Sequence, residues 1–149
     1  MNRNLLKVIK KKINSFFKSK KINHELISDS ALNTLAVLKK NKYDAFIVGG
    51  AIRDILMGSK PKDFDIATDA TPEQVRSIFK KSRIIGRRFK LVHVIYGREI
   101  IEVSTFRAKP LQKIQMSNGV LKDNEYGSIE EDAERRDFTI NALYYNVEE

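Results

Sequence analysis

Cysteine is missing from this 149-residue chain, which excludes disulfides and thiolate metal sites. Nowhere does an apolar run approach the roughly 20 residues that a membrane-spanning helix needs. The basic start is not followed by an uninterrupted apolar stretch, so it does not read as a secretory signal. Internal repeats and low-complexity tracts are also lacking. These absences leave a single domain's worth of chain, with an ordinary hydrophobic fraction of 42% and room for one core. A cytoplasmic setting is expected.

Acid, too, is absent from residues 1–21, where Arg3, Lys7, Lys10, Lys11, Lys12, Lys18, Lys20 and Lys21 supply eight basic groups. The remainder carries 20 basic and 19 acidic residues, so nearly all of the +9 net charge belongs to this segment. It reads as an arm, residues 1–21, ahead of a domain at 22–149. Leu5, Val8, Ile9, Ile13, Phe16 and Phe17 follow helical spacing within it. Such an arm suits phosphate backbones or an anionic membrane surface, and a solvated, frayed extension is the plain alternative.

Ser28-Asp29-Ser30 offers caps for a helix that carries Leu32, Leu35, Ala36 and Leu38 and ends near Asn41. Residues 43–48 read as a buried strand stopped by Gly49-Gly50. A helix over 51–57 follows, then a strand over 63–68. Thr71 caps the next helix with Pro72 at its first position and Val75, Ile78 and Phe79 inward. Strands are predicted at 83–85, 89–96 and 99–106, the last two joined by Gly97-Arg98. Residues 107–127 read as a polar loop, Ser128 with Glu131 as a capping box, and 138–145 as a final apolar helical segment. This order predicts an α/β (α+β) fold with a small mixed sheet flanked by helices.

Asp63 and Asp65 stand two apart on a predicted strand, so they project together while Phe64 turns to the core. Alone, such a pair is common on protein surfaces. Two adjacent carboxylates disfavour joint ionisation unless a cation sits between them, and oxygen ligands suit Mg²⁺. Glu102 alternates with the apolar Ile101 and Val103; an acid there is either a water-facing edge residue or one that needs a partner or metal. Placed beside Asp63 and Asp65, it would complete a two-metal site. Gly49-Gly50 ends a strand and opens a helix, where backbone N–H groups can meet phosphate, and Arg53 stands one turn in.

These residues resemble a known family. Gly49-Gly50-Ala51-Ile52-Arg53-Asp54 followed by Lys62-Asp63-Phe64-Asp65-Ile66 is similar to the nucleotidyltransferase superfamily of DNA polymerase β. More narrowly, it resembles the eubacterial tRNA CCA-adding enzymes and poly(A) polymerases. Residues 134–142, Glu-Arg-Arg-Asp-Phe-Thr-Ile-Asn-Ala, resemble that group's sugar–phosphate recognition motif, and the likeness extends over residues 22–147. Residues 84–94 resemble the bacterial poly(A) polymerase signature, which separates it from CCA-adding relatives.

The resemblance implies a polymerase β-like head domain that adds AMP from ATP to RNA 3′ ends and releases pyrophosphate. Asp63, Asp65 and Glu102 would be catalytic and hold two Mg²⁺ ions. Gly49, Gly50, Arg53, Arg136, Asp137 and Asn141 would bind the nucleotide. Arg87 and Arg88 would contact RNA phosphates, whereas His93 reads as a structural residue of the sheet. ATP and RNA 3′ ends are the expected partners, with no obligate protein partner evident. Neck, body and tail domains follow the head in that group and lie outside these 149 residues. The alternatives are a CCA-adding head and a catalytically idle RNA-binding remnant.

Overall fold

Ser28 opens the first long helix by accepting the Ala31 amide at 3.2 Å, which satisfies one of the unpaired donors at a helix start. The computed structural model that shows this describes residues 21–108, 116–117, 120–121, 126–136 and 141–147. The basic arm through residue 20 lies outside them. Helix α1 (Asp29–Lys40) buries Ala31, Thr34, Leu35 and Leu38. Leu32 is half-buried and Ala36 faces water, so the inner stripe is rotated from the one expected.

Strand β1 (Ala45–Val48) leads through Gly49 into helix α2 (Gly50–Leu56), whose inner side is Ala51, Ile52, Ile55 and Leu56. Strand β2 (Phe64–Thr68) begins one residue after Asp63. Helix α3 (Pro72–Ile78) carries the Thr71–Gln74 capping box, with Pro72 opening it. Strands β3 (Ser82–Ile85), β4 (Leu91–Tyr96) and β5 (Glu99–Thr105) follow as a meander. Gly97 takes φ 60° in the β4–β5 turn, the positive value that a first turn position of this hairpin class needs.

The described residues build a six-stranded sheet in the order β3-β4-β5-β2-β1-β8, with β8 at Tyr144–Tyr145. Its pairings are antiparallel except β2 with β5, which run parallel. The mixed, mostly antiparallel sheet expected from the sequence is therefore present. One face carries Ile47, Phe64, Ile66, Val92, Val94, Ile101 and Val103 into a common core with α1, α2 and α3. A smaller cluster of Val48, Ala67 and Phe106, with Phe46, Ile129 and Tyr144, occupies part of the other face.

Two expectations change, and one open alternative closes. Tyr144–Tyr145 is a strand, β8, paired with β1 at the sheet edge, and not the end of a helix. An apolar run this short does not distinguish the two, and pairing with β1 decides it; residues 137–140 lie outside the described set. Residues 107–127 are not simply loop: β6 (Met116–Ser117) pairs with β7 (Val120–Leu121), and Arg107 bridges Tyr126. Glu102 is not an edge residue, because β5 lies between β4 and β2. The Ser128–Glu131 capping box is present and opens helix α4 (Ile129–Glu134).

Candidate active site

Alternation along β2 separates its side chains as the sequence implies. Phe64 is buried, whereas Asp63 and Asp65 are exposed on either side of it. The β2–β5 register sets Asp65 level with Glu102, and the β1–β2 register sets Asp65 opposite Val48, the residue before Gly49. Cross-strand partners share a face, so Asp65 and Glu102 stand together on the face away from the main core. Across β4, His93 Nε2 lies 3.5 Å from Glu102 Oε2.

The carboxylates feel one another. Asp65 is pushed up to about 6, first by the protein packed around it and then by the charge of Glu102. Arg136 pulls the other way, and Asp63 adds to the rise. Although Asp65 keeps part of its surface in water, its charge sits in a local excess of negative potential. A divalent cation would relieve that excess, and the donor set is all oxygen, as Mg²⁺ prefers. The residues fit such an ion chemically. Among the described residues, however, no group of three His, Cys, Asp or Glu side chains is arranged as a ready-made metal site.

Gly49 has φ 72° and ψ −135°, outside the range that other residues adopt readily, and its amide donates to the Leu143 carbonyl at 3.1 Å. A Cβ on Gly49 would sit 3.9 Å from the Asn141 carbonyl oxygen. The motif residue Asn141 is therefore packed against the glycine turn. Arg53 folds back toward the start of its own helix, with Nη2 3.3 Å from where a Cβ of Gly50 would stand. It also donates to Asp54 at 3.0 Å.

Arg136 is held by a buried carboxylate that the sequence analysis did not single out. Asp132 is 1% exposed and accepts from Arg136 Nη2 at 3.2 Å, Arg135 Nη2 at 2.8 Å and the Arg107 amide at 3.0 Å. The Tyr144 hydroxyl also donates to it. Burial alone would raise the Asp132 pKa, but these donors outweigh it and hold the group below its ordinary value. Arg136 further donates to Tyr144 Oη at 3.0 Å and to the Asn141 carbonyl at 3.4 Å. The spacing of Asp132 to Arg135 and Arg136, three and four residues, was the available sequence signal.

The structure thus brings Gly49, Asp65, Glu102, Arg136 and Asn141 to one end of the sheet. Arg87 and Arg88 lie apart, on the turn from β3 to β4, where Arg88 stands 5.2 Å from the centre of the Phe89 ring. Arg107 approaches the same ring at 4.5 Å. Asp137 lies outside the described residues.

Known proteins resemble this chain over most of its length. Residues 45–149 match the family described as Poly A polymerase head domain. Poly(A) polymerase I of Salmonella typhi is 52% identical over 134 residues, covering 85% of this chain and 29% of that protein. The CCA-adding enzyme of Bacillus licheniformis is 40% identical over 119 residues, covering 79% of this chain and 29% of that protein. The crystal structure of the Bacillus stearothermophilus CCA-adding enzyme with CTP matches with a TM-score of 0.63 at 40% identity, covering 78% of this chain and 27% of that one. A tRNA nucleotidyltransferase complexed with a primer tRNA and an incoming ATP analogue matches with a TM-score of 0.55 at 27% identity, covering 78% of this chain and 32% of that one. The chain spans about 29% of the length of the curated relatives it matches.

Proposed function

Because the chain belongs to the poly(A) polymerase head-domain family, we propose that it supplies the nucleotidyl-transfer site of a template-independent RNA 3′-end polymerase that takes ATP. The observation that carries this reading is the level pairing of Asp65 with Glu102 across β2 and β5, beside the Gly49 turn. Residues 22–149 act as the catalytic head, and the basic arm at 1–21 adds contact with RNA or with an anionic surface. The setting is cytoplasmic.

Asp63, Asp65 and Glu102 would hold two Mg²⁺ ions, which when bound supply Lewis acidity for the attacking hydroxyl and the leaving oxygen. The chain's own groups position the substrates. The amides after Gly49 and the Arg53 guanidinium face the triphosphate, while Arg136 and Asn141, with Asp137, orient the sugar and phosphates. Arg87 and Arg88 contact the RNA backbone. Glu102 assists deprotonation of the RNA 3′-hydroxyl. That oxygen attacks the α-phosphorus in line, forming one P–O bond as the bond to the β-phosphate breaks and pyrophosphate leaves. Asp132, through Arg136, keeps a cation near the developing charge.

The reading is supported by the 52% identity to Poly(A) polymerase I, set against 40% for the CCA-adding relative. Incubating the protein with Mg²⁺, an RNA and each nucleotide singly tests it. Extension with ATP alone supports poly(A) synthesis, and limited addition of C and A points to the tRNA enzyme. An Asp65→Ala protein that extends RNA as well as the parent sinks the site.

A further inference from the structure

Between Glu73 and Glu99 the chain contains no acid, yet eight basic residues fall there, among them Lys81, Arg83, Arg87 and Arg88. The rest of residues 22–149 holds 12 basic and 19 acidic residues, so positive charge is concentrated on one part of the domain. That part is the end of α3, the edge strand β3 and the turn into β4. Charge so placed lies along an outer border of the sheet.

The register carries this border straight to the carboxylates. Arg83 pairs with His93, His93 with Glu102, and Glu102 with Asp65. The four residues form one row across β3, β4, β5 and β2, on the face away from the core. Ile84 packs against the core cluster, which turns Arg83 to the open side. Ile95 and Ile100 are paired with each other in the next row, and Ile100 is 47% exposed. The side chains of His93 and Glu102 keep 31% and 43% of their surface in water. At about 4.8 Å per strand, Arg83 stands about 14 Å from Asp65, the reach of a few nucleotides of extended strand.

We propose that this open face is the track for the 3′-terminal nucleotides of an RNA strand, which enters over Arg83 and ends at Glu102 and Asp65. The inference rests on the polymerase reading and adds to it a direction, a phosphate contact at Arg83 and an apolar rest at Ile95 and Ile100. The strip is basic at its outer end, mixed along its length and acidic at its inner end. A flexible polyanion that ends in a neutral hydroxyl complements each part. An anionic bilayer does not, because it would meet the Glu102 and Asp65 carboxylates on the same face. The triphosphate is served from the other side of Asp65, at Gly49.

Binding of a fluorescein-labelled oligoadenylate to the 149-residue protein, measured by anisotropy in EDTA at several salt concentrations, tests the track. Arg83→Ala should lower the slope of log K against log salt by about 0.7 and weaken binding about fivefold at 0.1 M salt, as expected for one lost single-strand phosphate contact. Arg83→Lys should restore most of both. A 4-thiouridine placed near the 3′ end should crosslink within residues 82–102. Parental binding and slope in both Arg83→Ala and the Lys81→Ala/Arg83→Ala double variant would overturn the proposal. So would crosslinks confined to residues 1–21, or Arg83-dependent binding to phosphatidylserine vesicles but not to RNA. Asp65→Ala separates the two readings: it should abolish extension while leaving RNA binding in EDTA within twofold. RNA binding that depends on Arg83 in a parent protein that never extends RNA would count against the polymerase reading and leave the track standing.

Discussion

Asp65 binds a proton more readily in the folded chain than an ordinary carboxylate does, at about 6 against 3.8. Its folded value lies above its unfolded one, so the uptake favours the fold. That contribution is complete below about 3.8 and is lost as pH rises through about 6. Thermal unfolding of the parent should therefore show added stability between pH 7.5 and pH 5 that Asp65→Asn lacks. Parallel pH profiles for the two proteins would show that the carboxylate is not strained. Millimolar Mg²⁺ at pH 7.5 should raise the parent Tm more than that of Asp65→Asn, since a cation relieves the repulsion that protonation relieves at low pH. The same substitution should cost RNA extension more than about a hundredfold, as loss of a transition-state electrostatic group does. A fully active Asp65→Asn protein would refute the catalytic assignment.

Among the elements, α4 and β8 do the least visible work, and β8 was the hardest to read from sequence. Asp132 on α4 ties Arg135, Arg136, Tyr144 on β8 and the Arg107 amide after β5 to a single buried group. Asp132→Ala should lower stability by about 3–5 kcal/mol, because it strands buried donors and two guanidiniums without their partner; urea unfolding measures it. A loss under 1 kcal/mol would mean that water replaces the carboxylate freely. Local signals made much of the rest legible: Phe64 between two acids gave the orientation of β2, and Ser28, Thr71 and Ser128 marked three helix starts that the structure contains. Glu102 was found by alternation. Asp132 was not, because its acidic neighbours Glu130 and Glu131 make it look like part of an ordinary exposed first turn. Its burial follows from partners that arrive from elsewhere in the chain. The β3–β4 turn offers a further check, since a Cβ on Gly86, at φ 91°, would stand 2.2 Å from the Phe89 carbonyl oxygen. Gly86→Ala should cost about 1–3 kcal/mol and displace Arg87 and Arg88, and an unchanged urea midpoint would show that the turn yields.

Across the whole molecule, the +9 charge divides between the first 21 residues, the basic border of the sheet and a remainder that offsets that border. Replacing Lys10, Lys11 and Lys12 by glutamine should lower the salt slope of RNA binding by about 2 if the arm touches phosphate. Extension at saturating RNA should be unchanged, and a fall in kcat would place the arm closer to the chemistry than this reading allows. The parallel β2–β5 pairing has a different consequence, which concerns how the sequence can change in length. Residues 69–98 separate the two strands, and α3, β3 and β4 lie within them. Their turns can lengthen or shorten without altering which residue stands beside Asp65. A single residue inserted between Glu99 and Glu102 would instead exchange the two faces of β5 at that level, turning Glu102 toward the core and leaving an apolar side chain next to Asp65. Length variation in this domain should therefore gather in the turns of the meander and avoid the first four residues of β5.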